Sequence, residues 1–295
     1  PTSYHVSSEK KKSGTIILYE SGDTTTENAI MAAAGINGIT TIRFASANYQ
    51  IQDLCFFLEQ LGILIDGIGS STLTIHGQEK ISKNISYSIS EDPIESMLFL
   101  TAAIVTKSSL TVKRCPIEFL ELELLKLEKM GLQYSRTKEY FAKNDKTKLV
   151  DITVKPSELT ALGSDDKIHP NIYPGLNIDN LPYFALIATQ AKGKTLIHDW
   201  IYEKRALYYT ELSKLGADVT LADPHRVFIE GPTTLLATEL MFPSALRPLA
   251  ILLLGMLAAK GTSILRNNYT IARGYENIAE RLNSLGAKIN VLEEI

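Results

Sequence analysis

Ile51-Gln-Asp-Leu-Cys-Phe-Phe-Leu-Glu-Gln-Leu61-Gly62-Ile-Leu-Ile65 is the stretch that decides the fold. Leu54, Phe57, Leu58 and Leu61 recur at helical spacing and share one face, so the run predicts an amphipathic helix. Gly62 ends it, and Ile63 to Ile65 begins a β-hairpin completed by Thr72 to Ile75 across Gly67-Ile-Gly69. The same ending returns as Met130-Gly131, Leu215-Gly216 and Leu285-Gly286. Each is preceded by an apolar helical run, a short Gly, Ser or Lys turn and a β-rich segment. The repeats are roughly 70 to 85 residues apart, far longer than solenoid units and long enough for a βαβαββ unit with its own core.

Read outward, unit one opens with the β-rich Thr15 to Tyr19, the helix Glu27 to Ala34 and the strand Thr40 to Phe44. In unit two the elements are Pro93 to Thr106, Ser109 to Lys113, Phe119 to Met130 and a hairpin over Leu132 to Ala142. Unit three reads Leu181 to Ala191, Thr195 to Asp199, Tyr208 to Leu215 and Asp218 to Ile229. Unit four reads Leu246 to Ala259, Thr262 to Arg266, Tyr275 to Leu285 and a final strand Lys288 to Leu292. The polar Ser90-Glu-Asp-Pro93 predicts a hinge. The expected organisation is a disordered or cut segment over 1–14, one βαβαββ unit over 15–89 and a three-unit domain over 90–295.

Composition excludes several classes. A net charge of −3 leaves no basic excess for nucleic acid. Two cysteines make no disulfide framework. The longest apolar run, Leu249 to Ala259, is about half a membrane span and reads as a buried helix. No secretory signal is visible, so no membrane partner and a cytoplasmic location are expected. His76, His169, His198 and His225 lack ligand spacing, so no metal or other cofactor is expected. Cys55 falls in an amphipathic helix and Cys115 precedes Pro116; neither reads as a reactive thiol.

Function should lie at the turns, where helix N-termini meet strand ends. Asp179 stands just before the helix that starts at Leu181, and on the residues alone it reads as an N-cap. Arg205 falls at a turn of unit three, and Arg247 and Arg273 at neighbouring turns of unit four, Arg247 at the start of a strongly apolar helix. A lone arginine at a turn is usually a solvated charge. Three at comparable places, with no acidic partner obvious in the sequence, predict an anion cluster near Asp179, facing a cleft between domains.

Four segments carry a resemblance: Thr26-Glu-Asn28, Tyr173-Pro-Gly-Leu-Asn-Ile-Asp179, Tyr202-Glu-Lys-Arg205 and Ile271-Ala-Arg-Gly-Tyr-Glu276. The chain resembles the enolpyruvyl transferases from Gly14 onward, most closely their cell-wall branch. That resemblance implies an α/β fold of βαβαββ units around a pseudo-threefold axis, an inside-out α/β barrel. The single first unit would be the remnant of a three-unit domain. It implies transfer of enolpyruvate from phosphoenolpyruvate to the 3′-hydroxyl of UDP-N-acetylglucosamine, with phosphate released, in peptidoglycan precursor synthesis. Asp179 would be the base on the sugar hydroxyl, and Arg205, Arg247 and Arg273 would surround phosphoenolpyruvate. Ile201 would line the nucleotide site, and the turn Glu20, Ser21, Gly22 and Asp23 would contact the uridine diphosphate, although a plain helix entry explains that turn equally well. The family's Lys-Asn pair and its mobile proton-donor loop have no counterpart here, so a complementing N-terminal segment is implied. Where the family commonly reads Asp-Arg-Ile-Glu, this chain reads Asp92-Pro-Ile-Glu95. Two alternatives stay open: the shikimate-pathway enolpyruvyl transferase, and a non-catalytic ligand-binding or scaffold paralogue.

Overall fold

The structure, a computed structural model, describes residues 3, 5, 7, 11–163, 166–241, 245–266 and 269–292. The sequence expectation for 1–14 falls partly on positions 1, 2, 4, 6 and 8–10, which lie outside the described residues. The chain divides into two compact units. Unit one comprises Pro1–Glu91, Tyr140–Lys148 and Ile172–Pro174; unit two comprises Asp92–Glu139, Leu149–Asn171 and Gly175–Ile295.

Unit one runs β1 (Thr15–Ile17), α1 (Asp23–Ala34), β2 (Gly38–Arg43), α2 (Tyr49–Gln60), β3 (Leu64–Asp66) and β4 (Thr72–Gly77). Its sheet has the order β1-β2-β4-β3. β1 and β2 are parallel, as a helical crossover requires, and the remaining pairs are antiparallel. Ile30, Ile42, Ile51, Cys55, Leu73 and Ile75 make the core between the helices and the sheet. Asn48 caps α2 by accepting from the Tyr49 amide.

Unit two contains three variations on that plan. The first is α3 (Pro93–Val105), β5 (Leu110–Pro116), a 3-10 turn at Ile117–Phe119, α4 (Glu121–Lys129), β6 (Gln133–Arg136) and β8 (Lys148–Lys155), the intervening short β7 (Tyr140–Phe141) belonging to unit one. β8 lies between β5 and β6, antiparallel to both. The second is α5 (Leu181–Ala188), β9 (Gly193–His198), a 3-10 helix over Arg205–Leu215, β10 (Asp218–Asp223) and β11 (Arg226–Gly231), in the antiparallel order β10-β11-β9. The third is β12 (Glu239–Met241), α6 (Leu246–Ala258), β13 (Ile264–Arg266), a 3-10 turn at Ile271–Arg273 and α7 (Ile278–Ser284), with β12 and β13 parallel. The first helices of these repeats, α3, α5 and α6, each pack on the other two.

Burial separates the four first helices. Twelve of the thirteen residues of α3 and all eight of α5 are buried, and eight of thirteen in α6. In α1, the same element of unit one, only four of twelve are buried, and Met31 is 50% exposed.

Two glycines share a structural role across the repeats. A Cβ on Gly77, the last residue of β4, would lie 2.1 Å from the carbonyls of Ala33 and Ile36. One on Gly231, the last residue of β11, would lie 2.6 to 2.8 Å from the carbonyls of Ala188, Thr189 and Ala191. In both repeats the closing strand crosses the C-terminal end of the first helix, where only a hydrogen fits.

The structure departs from the sequence reading in four places. The segment expected as a helix over Tyr208 to Leu215 is the 3-10 helix Arg205–Leu215, entered through Lys204 in the left-handed region at φ 60°. α7 starts at Ile278 rather than Tyr275, because Asn277 is also left-handed, at φ 47°. The hairpin expected within Leu132 to Ala142 closes instead with β8, since Tyr140–Lys148 folds with unit one. Lys288 to Leu292 forms no strand; a lone edge segment has no ladder to stabilise it, and no partner strand faces it among the described residues.

Candidate active site

Unit two gathers its acidic and basic side chains at the ends of α5, β9 and α6. Asp179 lies in the turn before α5, but it does not cap that helix. The N-cap position belongs to Asn180, and neither side chain bonds the helix amides. Asn177 builds the turn, its Oδ1 accepting the Asp179 amide at 2.8 Å. The Asp179 carboxylate is therefore free to face the arginines. Arg205 Nη1 is 3.7 Å from Oδ1, and Arg247 Nη2 is 3.4 Å from Oδ2.

Each arginine is backed by buried groups. Arg205 donates through Nε to Asp199 Oδ2 at 2.5 Å and through Nη2 to the Ile178 carbonyl at 2.7 Å. Its guanidinium lies 4.5 Å from the centre of the Tyr202 ring. Asp199, fully buried at the end of β9, also accepts from the Tyr209 hydroxyl at 2.5 Å. Arg247, in the first turn of α6, donates through Nη1 to Tyr275 Oη at 2.7 Å, and its guanidinium is 5.2 Å from that ring's centre. The Tyr275 hydroxyl in turn bonds that of the buried Tyr183.

Electrostatics keep the two arginines charged and the three tyrosines around them neutral. Burial works against the charge on Arg205, but Tyr209, Asp199 and Asp179 outweigh it and raise its pKa. Burial likewise opposes Arg247, and Tyr275 and Asp179 more than offset it. Burial raises the hydroxyls of Tyr183, Tyr209 and Tyr275, so all three stay protonated. The result is two permanent guanidinium forks flanking a carboxylate whose side chain is 27% exposed. Such forks match the paired oxygens of a phosphate or carboxylate.

The sequence expected Asp179, Arg205, Arg247 and Arg273 together. The first three share one cluster. Arg273 ends the 3-10 turn two residues before Tyr275, with an exposed side chain that makes no hydrogen bond or ion pair to the others among the described residues. The expected lack of acidic partners does not hold, because Asp179 and Asp199 neutralise the two inner arginines. Ile201 is half-buried between Asp199 and Tyr202. In unit one, Glu20 is exposed, while Ser21, Gly22 and Asp23 are half-buried at the start of α1. The Asp23 carboxylate there accepts from Ser46 Oγ, Asn48 Nδ2 and Gln50 Nε2, at 2.5, 3.1 and 2.8 Å. It thereby ties α1 to the loop entering α2.

Asp199, Tyr209 and Tyr183 were missed in the sequence. Asp199 ends a predicted strand, and Tyr183 and Tyr209 fall inside the predicted helical runs Leu181 to Ala191 and Tyr208 to Leu215. Burial pushes the Cys55 thiol up to about 12 and the Cys115 thiol up to about 11, so neither ionises readily. Among the described residues no group of three His, Cys, Asp or Glu side chains could hold a metal ion, and no helix is long and apolar enough to cross a membrane.

Repeated helix–strand units with an arginine–carboxylate cluster at their turns define a class, and comparison with known proteins gives the same class. The chain belongs to the EPSP synthase (3-phosphoshikimate 1-carboxyvinyltransferase) family of enolpyruvyl transferases, which matches residues 2–282. Within it, the chain is 35% identical over 281 residues to UDP-N-acetylglucosamine 1-carboxyvinyltransferase of Treponema denticola, covering 95% of this chain and 64% of the relative. The enzyme of that name from Bradyrhizobium diazoefficiens is 34% identical over 285 residues, covering 95% of this chain and 63% of the relative. The chain thus spans just under two thirds of the length of these curated relatives. Among solved structures, the enolpyruvyl transferase NikO from Streptomyces tendae matches at TM-score 0.77 and 25% identity, over 93% of this chain and 64% of that one. EPSP synthase from Acinetobacter baumannii shares the fold at TM-score 0.79 and 18% identity, over 96% of this chain and 64% of that one.

Proposed function

We propose that this chain carries part of the active site of a cytoplasmic enzyme of peptidoglycan precursor synthesis. The enzyme transfers enolpyruvate from phosphoenolpyruvate to the 3′-hydroxyl of UDP-N-acetylglucosamine. The observation that carries the reading is Asp179 held between Arg205 and Arg247, in a chain whose relatives at 34 and 35% identity bear that enzyme's name.

In this reading the arginine forks, with Arg273 joining when substrate is bound, hold the phosphate and carboxylate of phosphoenolpyruvate. Asp179 takes the proton of the acceptor hydroxyl. The hydroxyl oxygen bonds to C2 of phosphoenolpyruvate while an acid protonates C3. Loss of a C3 proton then expels phosphate and restores the double bond. Ile201 lines the nucleotide. The acid comes from a complementing N-terminal segment that also covers α1. The contrast between the exposed α1 and the buried α3, α5 and α6 supports such a segment, made of further repeats of the same kind.

The test is phosphate release from phosphoenolpyruvate by the chain joined to the first third of the Treponema denticola relative. UDP-N-acetylglucosamine and shikimate 3-phosphate are supplied in separate reactions. Turnover with the nucleotide sugar alone is expected. Turnover with shikimate 3-phosphate instead would assign the acceptor named by the matching family, and turnover with neither would leave a non-catalytic paralogue.

A further inference from the structure

α4 carries a carboxylate that the proposed chemistry does not use. Glu123 is only 2% exposed, although the neighbouring pattern Leu-Glu-Leu-Glu-Leu offers it every appearance of a surface charge. Its Oε1 accepts from the backbone amide of Asn177 at 3.1 Å and from Asn180 Nδ2 at 2.9 Å. Asn180 is itself completely buried, and its Oδ1 has no hydrogen-bond partner among the described residues. Asn177, held by Glu123 through its amide, uses its side chain to hold the amide of Asp179. One buried carboxylate therefore grips both sides of the turn that presents Asp179.

A buried carboxylate is costly to desolvate, and a leucine of similar volume on the inner face of α4 would suit a purely packed core better. What a leucine could not do is bridge the two donors of the turn that precedes α5. Because the Asp179 carboxylate reaches the two arginines at 3.4 and 3.7 Å, a small rotation of the 177–180 turn would break one approach before the other. A displacement of about 1 Å of a catalytic group can cost roughly a hundredfold in rate.

We propose that Glu123 is a positioning residue: by joining Asn177 to Asn180 it fixes the turn that sets Asp179 between Arg205 and Arg247. The catalytic consequence rests on the proposed function; the geometric one does not. Glu123→Gln keeps the accepting oxygen, whereas Glu123→Leu keeps the volume and removes it.

Amide hydrogen exchange on residues 1–295 tests the geometry without any substrate. Glu123→Leu is expected to speed exchange of the Asn177 and Asp179 amides by tenfold or more, on the order of 1.4 kcal/mol of local protection. Amides in the interiors of α3, α5 and α6 should keep their rates, and Glu123→Gln should restore those of Asn177 and Asp179. Unchanged exchange at both turn amides in Glu123→Leu would overturn the proposal. So would a uniform rise across unit two, which would make Glu123 a core residue only. In the joined protein described above, kcat of Glu123→Leu should fall about tenfold with KM for phosphoenolpyruvate within about twofold, and Glu123→Gln should recover it. If the unmodified joined protein showed no turnover, the functional reading would fail while the exchange result still decided the role of Glu123.

Discussion

Asp199 has no exposure, one oxygen shared by Arg205 and Tyr209, and a second oxygen that bonds nothing among the described residues. Removing one of its donors leaves a buried charge poorly compensated. Tyr209→Phe is therefore expected to lower stability by about 1–3 kcal/mol, measured by urea unfolding. Asp179→Ala should behave oppositely. Its partners stand 3.4 and 3.7 Å away and it caps no helix, so stability should move by less than about 1 kcal/mol. In the joined protein its loss as base should lower kcat roughly a hundredfold or more. Comparable modest losses in both would return Asp179 to a structural role. Glu123 adds a pH dependence. Burial raises its pKa above 4.5, against the lowering effect of Asn180 and Asn177. The folded state thus binds its proton more tightly than the unfolded state does. The protonated carboxyl contributes fully below the unfolded pKa, and that contribution is lost as pH rises through the folded value. Glu123→Gln should gain stability relative to the unmodified chain as pH climbs from about 4.5, read from melting temperatures across the range. Arg205 and Arg247 stood out in the sequence because they recur at turns of the repeat, whereas Asp179 read as a helix cap and only the resemblance placed it with them. Asp199 and Glu123 were not legible, because their burial depends on which segments fold over them.

At the scale of elements, the closing strand of a repeat and its first helix meet through a glycine. Gly231→Ala would push a methyl group against the carbonyls of Ala188, Thr189 and Ala191, and Gly77→Ala against those of Ala33 and Ile36. Backbone cannot yield as a side chain can, so each substitution should cost about 2 kcal/mol or more in a chemical unfolding experiment. A glycine at either site that tolerated alanine without loss would mean the helix end and strand are less tightly joined than described. Helices α2, α3 and α6 were readable to within two residues at each end, since one face or the whole run is apolar. The 3-10 helix over Arg205–Leu215 was not, because its apolar residues also satisfy the α-helical period. What distinguishes it is the left-handed Lys204, whose conformation nothing in its residue type announces. The missing last strand has a plainer cause: alternating apolar residues predict a strand only where another is there to receive it.

For the whole molecule, residues 1–295 by themselves should release no phosphate from phosphoenolpyruvate, because neither buried cysteine can serve as the acid that the proposed reaction needs. A rate of about 1 s⁻¹ or more from this chain alone would defeat the proposal of a complementing segment. The thin cover of α1 carries a thermodynamic consequence. If another polypeptide segment completes that helix's surroundings, unit one obeys mass action: its stability increases with the logarithm of the segment's concentration once the dissociation constant is passed. Amides of α1 should then become protected in a dose-dependent way, by about 2.7 kcal/mol at a hundredfold excess over that constant, while those of α5 show no such dose response. In that case Met31 and its neighbours would make unit one a gauge of the concentration of whatever segment covers them.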